Sequence, residues 1–208
     1  MRGKFITVEG GEGVGKSSNL DAICERIREG GHDVLQTREP GGTPTAELIR
    51  RLLLEHGDEP LPAEAELLLF FAARSLHVSN VIRPSLEAGT WIVCDRFTDA
   101  SLAYQGGGRG LDKAKIEMLA QWVHGDLRPD LTILLDAPLE VGRGRAARRG
   151  EADRMETERS EFHDRVRRSY LALAAAEPRR FAVVDASAPL DQVRAEVSLA
   201  VGRLMSEK

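Results

Sequence analysis

The chain of 208 residues is 42% hydrophobic and 30% charged, which is the composition of a globular protein rather than of a disordered one. Its formal net charge of −4 argues against general nucleic-acid binding, which usually requires a basic surface. No uninterrupted apolar run reaches the roughly 18 residues of a membrane span, so we expect no membrane partner. The two cysteines, Cys24 and Cys94, lack the spacing of a zinc site or a disulfide framework, which favours a reduced, cytoplasmic compartment.

Short apolar segments alternate along the chain with amphipathic ones. Strands are predicted at residues 4–9, 33–37, 90–95, 131–136 and 181–186. Helical spacing of apolar residues predicts helices between them, for example where Leu20, Ile23 and Ile27 share one face. This alternation is typical of an α/β fold with three layers, in which helices cover both faces of a five-stranded parallel sheet. No repeat or linker interrupts the pattern, so we expect a single domain over residues 1–208.

The segment "GGEGVGKS" at residues 10–17 fits the pattern G-x-x-x-x-G-K-[ST] and joins a predicted strand to a predicted helix. Its glycines allow backbone N–H groups to converge on phosphate oxygens, and the N-terminus of the helix adds partial positive charge. Lys16 supplies a cation near the transferred phosphate, and the Ser17 hydroxyl can ligate Mg²⁺. The alternative is a glycine-rich turn that matches the pattern by chance.

The remaining motifs narrow the class of nucleotide-binding protein. The sequence has neither the Asn-Lys-x-Asp motif of GTPases nor the Leu-Ser-Gly-Gly-Gln signature of transport ATPases, and it is short for a helicase. A small kinase that uses ATP and Mg²⁺ fits the length. Such an enzyme needs an acceptor site facing the donor phosphate and a lid that excludes water.

The lid candidate is the basic segment "RGRAARRGEADR" within residues 143–155. Its arginines are Arg143, Arg145, Arg148, Arg149 and Arg154. The phosphate loop has no arginine, and phosphoryl transfer gains from an arginine clamp on the developing charge. The alternative is a solvated basic helix end.

Two pairs of residues are candidates for the acceptor side. Asp95 and Arg96 end a predicted strand, at the edge where open α/β sheets bind ligands. There Asp95 can hold Mg²⁺ through water and Arg96 can bind the acceptor phosphate, although Asp95 could instead cap a following helix.

Phe70 and Arg74 are four residues apart and share a helix face. A base could stack on the Phe70 ring and accept a hydrogen bond from the Arg74 guanidinium. On pattern alone, Phe70 is better explained as a core residue.

A set of motifs in order along the chain resembles the bacterial thymidylate kinases. The motifs are "TREPGGT", "FFAAR", "CDRF", "AYQGGGRG", "RPDLTILLD" and the "DR" that follows the arginine cluster. The similarity covers essentially the whole chain. It implies a P-loop kinase fold, phosphorylation of dTMP to dTDP by ATP and Mg²⁺ in dTTP biosynthesis, and a homodimer. The alternatives are another nucleotide or deoxynucleoside kinase, and a nucleotide-binding switch with little catalysis.

The resemblance also implies a role for each matching residue. The expected ATP-binding residues are Gly10, Gly11, Glu12, Gly13, Val14, Gly15, Lys16, Ser17, Ser18 and Arg145. The expected dTMP-binding residues are Glu12, Arg38, Glu39, Pro40, Phe70, Arg74, Arg96, Ser101, Tyr104 and Gln105. The expected catalytic residues are Lys16, Asp95, Arg96 and Arg149, with Arg154 as the alternate, and the metal ligands are Ser17 and Asp95.

Some implied roles are more specific. Ser101 would face the N3 edge of thymine, and Tyr104 would crowd a 2′-hydroxyl and so favour a deoxynucleotide. Arg38 would contact the acceptor phosphate, Glu39 would approach the metal, and a cis bond would precede Pro40.

Three further expectations concern Glu12, the donor base and the dimer. Glu12 would lie near the 3′-hydroxyl of the acceptor sugar, unless it simply faces solvent. Arg145 would stack on adenine, which the backbone near Ala188 and Pro189 would border. The apolar stretch at residues 67–69 would contribute to the dimer or be buried within the monomer.

Overall fold

Five parallel strands form one sheet in the order β2-β3-β1-β4-β5. The computed structural model describes residues 2–57, 59–146 and 153–206. The strands are β1 Phe5–Gly10, β2 Val34–Arg38, β3 Trp91–Asp95, β4 Leu131–Asp136 and β5 Phe181–Asp185. The predicted parallel sheet of five strands is confirmed, and each predicted boundary lies within one residue of the observed one.

Helices connect these strands and cover both faces of the sheet. They are α1 Lys16–Glu29, α2 Pro44–Leu54, α3 Ala63–His77, α4 Arg83–Glu87, α5 Thr98–Ser101, α6 Lys113–His124, α7 Leu139–Ala146, α8 Ser160–Ala176 and α9 Leu190–Ser206. A π-helical turn, Val78–Ile82, joins α3 to α4, and a second one, Leu102–Gly108, extends α5.

Alternation along β1 explains the three layers. Ile6 and Val8 point to one face, where they pack with Ile23 of α1 and Val197 of α9. Phe5 points to the opposite face, which is covered by the α3–α4 run and by α8. Because side chains of a strand alternate between its faces, a strand that is apolar throughout must be covered on both sides. The central strands β1, β3 and β4 are buried in this way, as their sequences predict.

The helical run Ala63–Glu87 is long and apolar enough to cross a membrane by length and composition alone, and 44% of its most apolar window is buried. A helix of a protein core passes the same test. Here α3 packs against α2 and α6, and its Arg74 and His77 are buried within the fold. Packing inside the domain therefore accounts for its apolar character.

The register of the sheet brings chemically useful residues to one edge. Arg38 pairs with Asp95 at the ends of β2 and β3, and Gly10 ends β1 beside Leu135 of β4. The phosphate loop then runs from Gly10 into α1. The carboxyl ends of the strands thus form the floor of a site.

Candidate functional site

A cavity of about 520 Å³ opens above the carboxyl edge of the sheet, a size that suits a small-molecule ligand. It brings together most of the predicted site residues. They are Glu12, Gly13, Val14, Gly15, Lys16, Ser17, Ser18, Arg38, Glu39, Pro40, Phe70, Arg74, Asp95, Arg96, Ser101, Tyr104, Gln105 and Arg145. Gly10, Gly11 and Arg154 do not line it, and Arg149 lies outside the described residues.

The phosphate loop adopts conformations that require glycine. Gly13 and Gly15 have φ of 68° and 88°, in the left-handed region. A Cβ on Gly13 would also collide with the carbonyl oxygen of Gly142 in α7. α1 begins at Lys16 directly after the loop, so the N–H groups of its first turn face the cavity.

Lys16 lies back on its own loop. Its Nζ donates a hydrogen bond to the carbonyl oxygen of Gly11 at 2.9 Å and lies 3.5 Å from that of Gly10. Burial, followed by the positive charge of Arg96, lowers the pKa of the Lys16 ammonium. The negative charges of Glu12, Asp95 and Glu9 offset this lowering only in part, so a phosphate group in the loop would further favour the ammonium.

Glu12 points towards the acceptor-side residues and not to solvent. Its Oε1 accepts hydrogen bonds from Arg96 Nη2 at 2.7 Å and from the Tyr104 hydroxyl at 2.6 Å, and its side chain is 20% exposed. Burial alone would raise the pKa of the Glu12 carboxyl, but Arg96 and then Lys16 outweigh it and hold that pKa at about 2. The carboxylate is therefore ionised at neutral pH. The interpretation of Glu12 as a solvent-facing loop residue is wrong.

Arg96 is held in a strained conformation by four hydrogen-bond acceptors. Its φ of 70° makes it the one non-glycine with a left-handed backbone among residues 2–57, 59–146 and 153–206. Its guanidinium donates to Gly10 O at 2.9 Å, to Tyr104 Oη at 2.9 Å and to Tyr170 Oη at 3.1 Å, besides Glu12. The group is thus fixed at the boundary between the phosphate loop and the acceptor side.

The residues that hold Arg96 in place from behind include Glu9, which was not predicted from the sequence. Glu9, fully buried, accepts hydrogen bonds from the Phe97 backbone N–H and from the Tyr170 hydroxyl, both at 2.7 Å. Burial, followed by the negative charge of Asp99, raises the pKa of Glu9 to about 8. The available signal was a carboxyl group at the end of an apolar strand, because such a group needs partners when it is buried.

Asp95 has the properties of a metal-facing carboxylate. Its Oδ1 is buried without a hydrogen-bond partner among the described residues, and both Asp95 and Ser17 line the cavity. The helix α5 has Phe97 at its N-cap and no side-chain cap, so Asp95 is not the helix cap that the sequence left open. No group of three or more His, Cys, Asp or Glu forms a metal cage among the described residues. One carboxylate and one hydroxyl fit Mg²⁺, which keeps water and phosphate oxygens as its other ligands.

Arg74 is buried at the end of the cavity that is lined by Phe70. It donates from Nε to Glu39 at 2.6 Å, from Nη1 to Ser101 Oγ at 3.1 Å and from Nη2 to Phe97 O at 3.0 Å. The core position on this helix belongs to Phe71, which is 2% exposed, whereas Phe70 lines the cavity. The interpretation of Phe70 as a core residue is therefore wrong.

The loop after β2 differs from one expectation. A cis peptide bond precedes Pro40, as the resemblance implies. Glu39, however, does not approach a metal position, because its two carboxylate oxygens are paired with Arg74 and with His77. Burial opposes ionisation of Glu39, but the charge of Arg74 outweighs it and lowers the pKa.

Two arginines lie near this loop, and sequence reasoning found only one of them. Arg38 is 53% exposed and donates to Glu47 at 3.0 Å. Arg50, on α2, lines the cavity and donates to Pro40 O at 2.8 Å. Glu47 and Arg50 are three residues apart on a helix that Thr43 caps, so helical spacing was the available signal for a face turned to the loop.

Two more acceptor-side residues have defined partners. Gln105 donates to the buried Glu66 at 2.9 Å. Tyr104 presents its ring to Arg96, whose Cζ lies 4.7 Å from the ring centroid. Both residues line the cavity.

Arg145 and Arg154, on either side of the undescribed part of the lid candidate, bond different parts of the fold. Arg145, at the end of α7, lines the cavity and donates to Ala186 O at 2.7 Å. Arg154 donates to Leu53 O at 2.8 Å and to Glu66 at 2.6 Å, while its backbone N–H bonds Leu54 O. Arg154 is therefore tied to α2 and α3 and does not point into the cavity. The expected alternate catalytic role of Arg154 does not fit this position.

Comparison with known proteins gives a consistent result. A family model described as thymidylate kinase matches residues 8–197. The thymidylate kinase of Ectopseudomonas mendocina (strain ymp) is 54% identical over 205 residues, which is 99% of this chain and 98% of the relative. The thymidylate kinase of Chromohalobacter salexigens is 56% identical over 198 residues, covering 94% of this chain and 93% of the relative. The crystal structure of thymidylate kinase from Ehrlichia chaffeensis has a TM-score of 0.79 and 33% identity, and the match covers 97% of this chain and 99% of that one.

Proposed function

This chain belongs to the thymidylate kinase family, and from that premise we propose which of its residues bind each substrate and transfer the phosphoryl group. The reaction is the phosphorylation of dTMP by ATP, a step of nucleotide biosynthesis. The observation that carries the residue assignment is the position of Glu12. A residue of the phosphate loop has its carboxylate bonded to Arg96 and Tyr104, so the loop separates a donor side from an acceptor side.

On the donor side, the phosphates of ATP bind to the backbone N–H groups of residues 10–18 and to Lys16. This assignment is supported by the left-handed glycines and by the start of α1 at Lys16. Arg145 borders the adenine, which its place on the cavity wall beside Ala186 supports.

On the acceptor side, the thymine base lies against Phe70 and bonds Arg74 and Ser101, and Tyr104 and Gln105 border the sugar. The phosphate of dTMP binds Arg96 together with Arg38 and Arg50. All three arginines line the cavity, and guanidinium groups are suited to bidentate bonds with phosphate, which supports this assignment. Pro40 shapes the loop between them.

Mg²⁺ would be held by Ser17 and by Asp95, partly through water. The unpaired buried oxygen of Asp95 supports this proposal. Bound there, the ion would supply positive charge that neutralises the negative charge developing on the transferred phosphate.

The transfer itself is an in-line displacement. An oxygen of the dTMP phosphate forms a bond to the γ-phosphorus while the bond to the β-phosphate oxygen breaks, which yields dTDP and ADP. The acceptor phosphate is already largely an anion at neutral pH, because its second pKa is about 6, so no side chain has to remove a proton. Lys16, Arg96 and Arg149 stabilise the negative charge that develops on the transferred phosphoryl group.

We also propose that the chain forms one domain, with a lid near residues 143–155. We further propose a cytoplasmic location, which the two free cysteines support.

Replacing Glu12 by alanine tests the division of the cavity. We expect KM for dTMP to rise about tenfold, because Arg96 and Tyr104 lose a charged partner, while KM for ATP stays within twofold. The assay is release of ADP with dTMP as acceptor, with thymidine in parallel. The wild type should phosphorylate dTMP and not thymidine.

The matched control is Glu12→Gln, which keeps the shape and one acceptor oxygen but removes the charge, and it should give a smaller rise. A rise in KM for ATP with KM for dTMP unchanged would assign Glu12 to the donor side instead. Turnover of thymidine rather than dTMP would favour a deoxynucleoside kinase.

We propose a homodimer through α2, α3 and α6. These helices are neighbours, and their outer surfaces expose large apolar side chains. They are Leu48, Leu52, Leu68, Met118 and Trp122, of which Trp122 is 83% exposed. The stretch at residues 67–69 belongs partly to the core and partly to this surface, because Leu67 is 5% exposed and packs in the core whereas Leu68 is 56% exposed. An exposed apolar patch of this kind is typical of an interaction surface.

Sedimentation equilibrium checks this proposal. The wild type should have the mass of two chains, and Trp122→Glu should shift it towards one chain at the same concentration, because a carboxylate is costly in an apolar interface. Leu199→Glu is a matched control, since Leu199 is 63% exposed on α9, away from these helices. A monomeric wild type would contradict the proposal.

A further inference from the structure

A chain of buried hydrogen bonds lies behind Arg74. Thr37 Oγ is 2.7 Å from His77 Nε2, His77 Nδ1 is 3.1 Å from Glu39 Oε1, and Glu39 Oε2 is 2.6 Å from Arg74 Nε. His77 is fully buried, and Glu39 and Arg74 are 4% and 2% exposed. The chain joins β2, the loop that follows it and α3.

The direction of these hydrogen bonds follows from the chemistry of the groups. Glu39 is ionised beside Arg74, and an ionised carboxylate can only accept hydrogen bonds. His77 Nδ1 must therefore carry the proton that it shares with Glu39, which leaves Nε2 to meet the Thr37 hydroxyl. The histidine donates on one side of its ring and is held on the other.

The edge of the His77 ring that carries Cδ2 and Nε2 packs against the loop after β2. A Cβ on Gly42 would lie within contact distance of both Cδ2 and Nε2 of the ring, and Gly42 has φ of +84°, so only glycine fits there. The loop after β2 thus packs its backbone against the histidine. This packing and the bond to Thr37 fix the ring, and the ring fixes one oxygen of Glu39.

We propose that His77 is a positioning residue that orients Arg74 for the acceptor base, acting through Glu39. The proposal rests on the role of Arg74 in dTMP binding that was proposed above. The guanidinium has five N–H donors, and contacts with Glu39, Ser101 and Phe97 O use three of them. The remaining donors can meet the base only if the plane of the guanidinium is fixed, and Glu39 can fix it only while its other oxygen is held by His77.

Two substitutions of His77 separate its two hydrogen bonds. In His77→Asn the side-chain amide reaches the position of Nδ1 and can still donate to Glu39. In His77→Gln the amide reaches the position of Nε2, so it keeps the contact to Thr37 and loses the one to Glu39. We expect His77→Gln to raise KM for dTMP about tenfold, with KM for ATP and kcat within about threefold of wild type. His77→Asn should raise KM for dTMP clearly less.

A second buried histidine provides the control. His124, 3% exposed at the end of α6, bonds Thr98 Oγ at 2.8 Å and does not line the cavity. His124→Gln therefore reports the cost of losing a buried histidine, and KM for dTMP should stay within twofold. Melting temperatures of all variants are measured alongside the kinetics.

The possible outcomes are distinct. Equal KM values for dTMP in folded His77→Gln and His77→Asn would overturn the proposal, as would a parallel rise in both KM values or the same rise in His124→Gln. If His77→Gln does not fold, Thr37→Val replaces it, because valine keeps the strand and releases only Nε2. It should raise KM for dTMP about two- to threefold, and no change would overturn the proposal. Failure of the wild type to phosphorylate dTMP would instead overturn the proposed role of the acceptor site.

Discussion

Replacing Lys16 by alanine is expected to lower kcat for dTMP phosphorylation by about a thousandfold, the scale reached when a group that stabilises transition-state charge is removed. The ammonium contacts only carbonyl oxygens of its own loop, Gly10 and Gly11, among its described hydrogen bonds. It is therefore available to the phosphates of ATP. The measurement is the initial rate of ADP release at saturating ATP and dTMP.

The same substitution should leave the melting temperature near that of the wild type. Burial and the charge of Arg96 lower the pKa of Lys16, which means that the fold disfavours the charged ammonium relative to the unfolded chain. This charge therefore contributes no stability that alanine would remove. A lysine whose charge stabilised the fold would have a raised pKa in the folded state.

Lys113→Ala is a suitable control, because the Lys113 side chain is 64% exposed on α6, pairs with Glu117 at the surface and lies on the side of the helix opposite Trp122. It should change neither kcat nor the melting temperature. A large drop in melting temperature for Lys16→Ala would identify Lys16 as a structural residue. Retention of turnover would show that it does not contact the transferred phosphoryl group.

Replacing Arg149 by alanine is expected to lower kcat by about a hundredfold or more, within the range found for arginines that clamp the transferred phosphate. Arg149 lies outside the described residues, so the prediction depends on its place in the basic segment and on the position of the alternate, Arg154. Single-turnover rates with dTMP separate the chemical step from product release.

Arg154→Ala is the natural comparison, because both arginines belong to the lid candidate. Arg154 holds Leu53 O and Glu66 with its side chain. Its loss leaves the buried Glu66 with Arg109 and Gln105 as partners, so we expect a lower melting temperature and a smaller loss of kcat. If Arg149→Ala kept full kcat and Arg154→Ala lost it, the catalytic role would belong to Arg154.

Most of the fold could be predicted from the sequence, because its signals are local. Strands that are apolar on both faces, as in "LTILLD", require cover on both sides, and the alternation of strands with helices leaves a parallel sheet as the consistent arrangement. The phosphate loop is equally local, since its glycine spacing and the strand and helix at its ends lie within a few residues. The predicted strand boundaries differ from the observed ones by at most one residue, because the signals that end a strand are also local.

The buried hydrogen bonds that hold the site residues in place could not be predicted in this way. Tyr170 reaches Glu9 across 161 positions of sequence, and His77 reaches Glu39 across 38. Arg50 lines the cavity because Thr43 caps α2 and α2 packs on α3; helical spacing places Arg50 beside Glu47 but does not show which element that face meets. The choice between Phe70 and Phe71 for the core also depends on which side of α3 meets its neighbours.

The sequence by itself determined the layers of this protein, the phosphate loop and, through its motifs, the class of acceptor. Its glycines and its apolar alternation act on neighbouring residues, where backbone geometry restricts the outcome. Only the tertiary structure decided where Glu12 points, why both carboxylate oxygens of Glu39 are paired with Arg74 and His77, and why Arg154 bonds α2 and α3 instead of entering the cavity. Each of these depends on which charges lie within hydrogen-bond distance after distant segments pack, because a buried charge must be paired and its partner is selected by the fold.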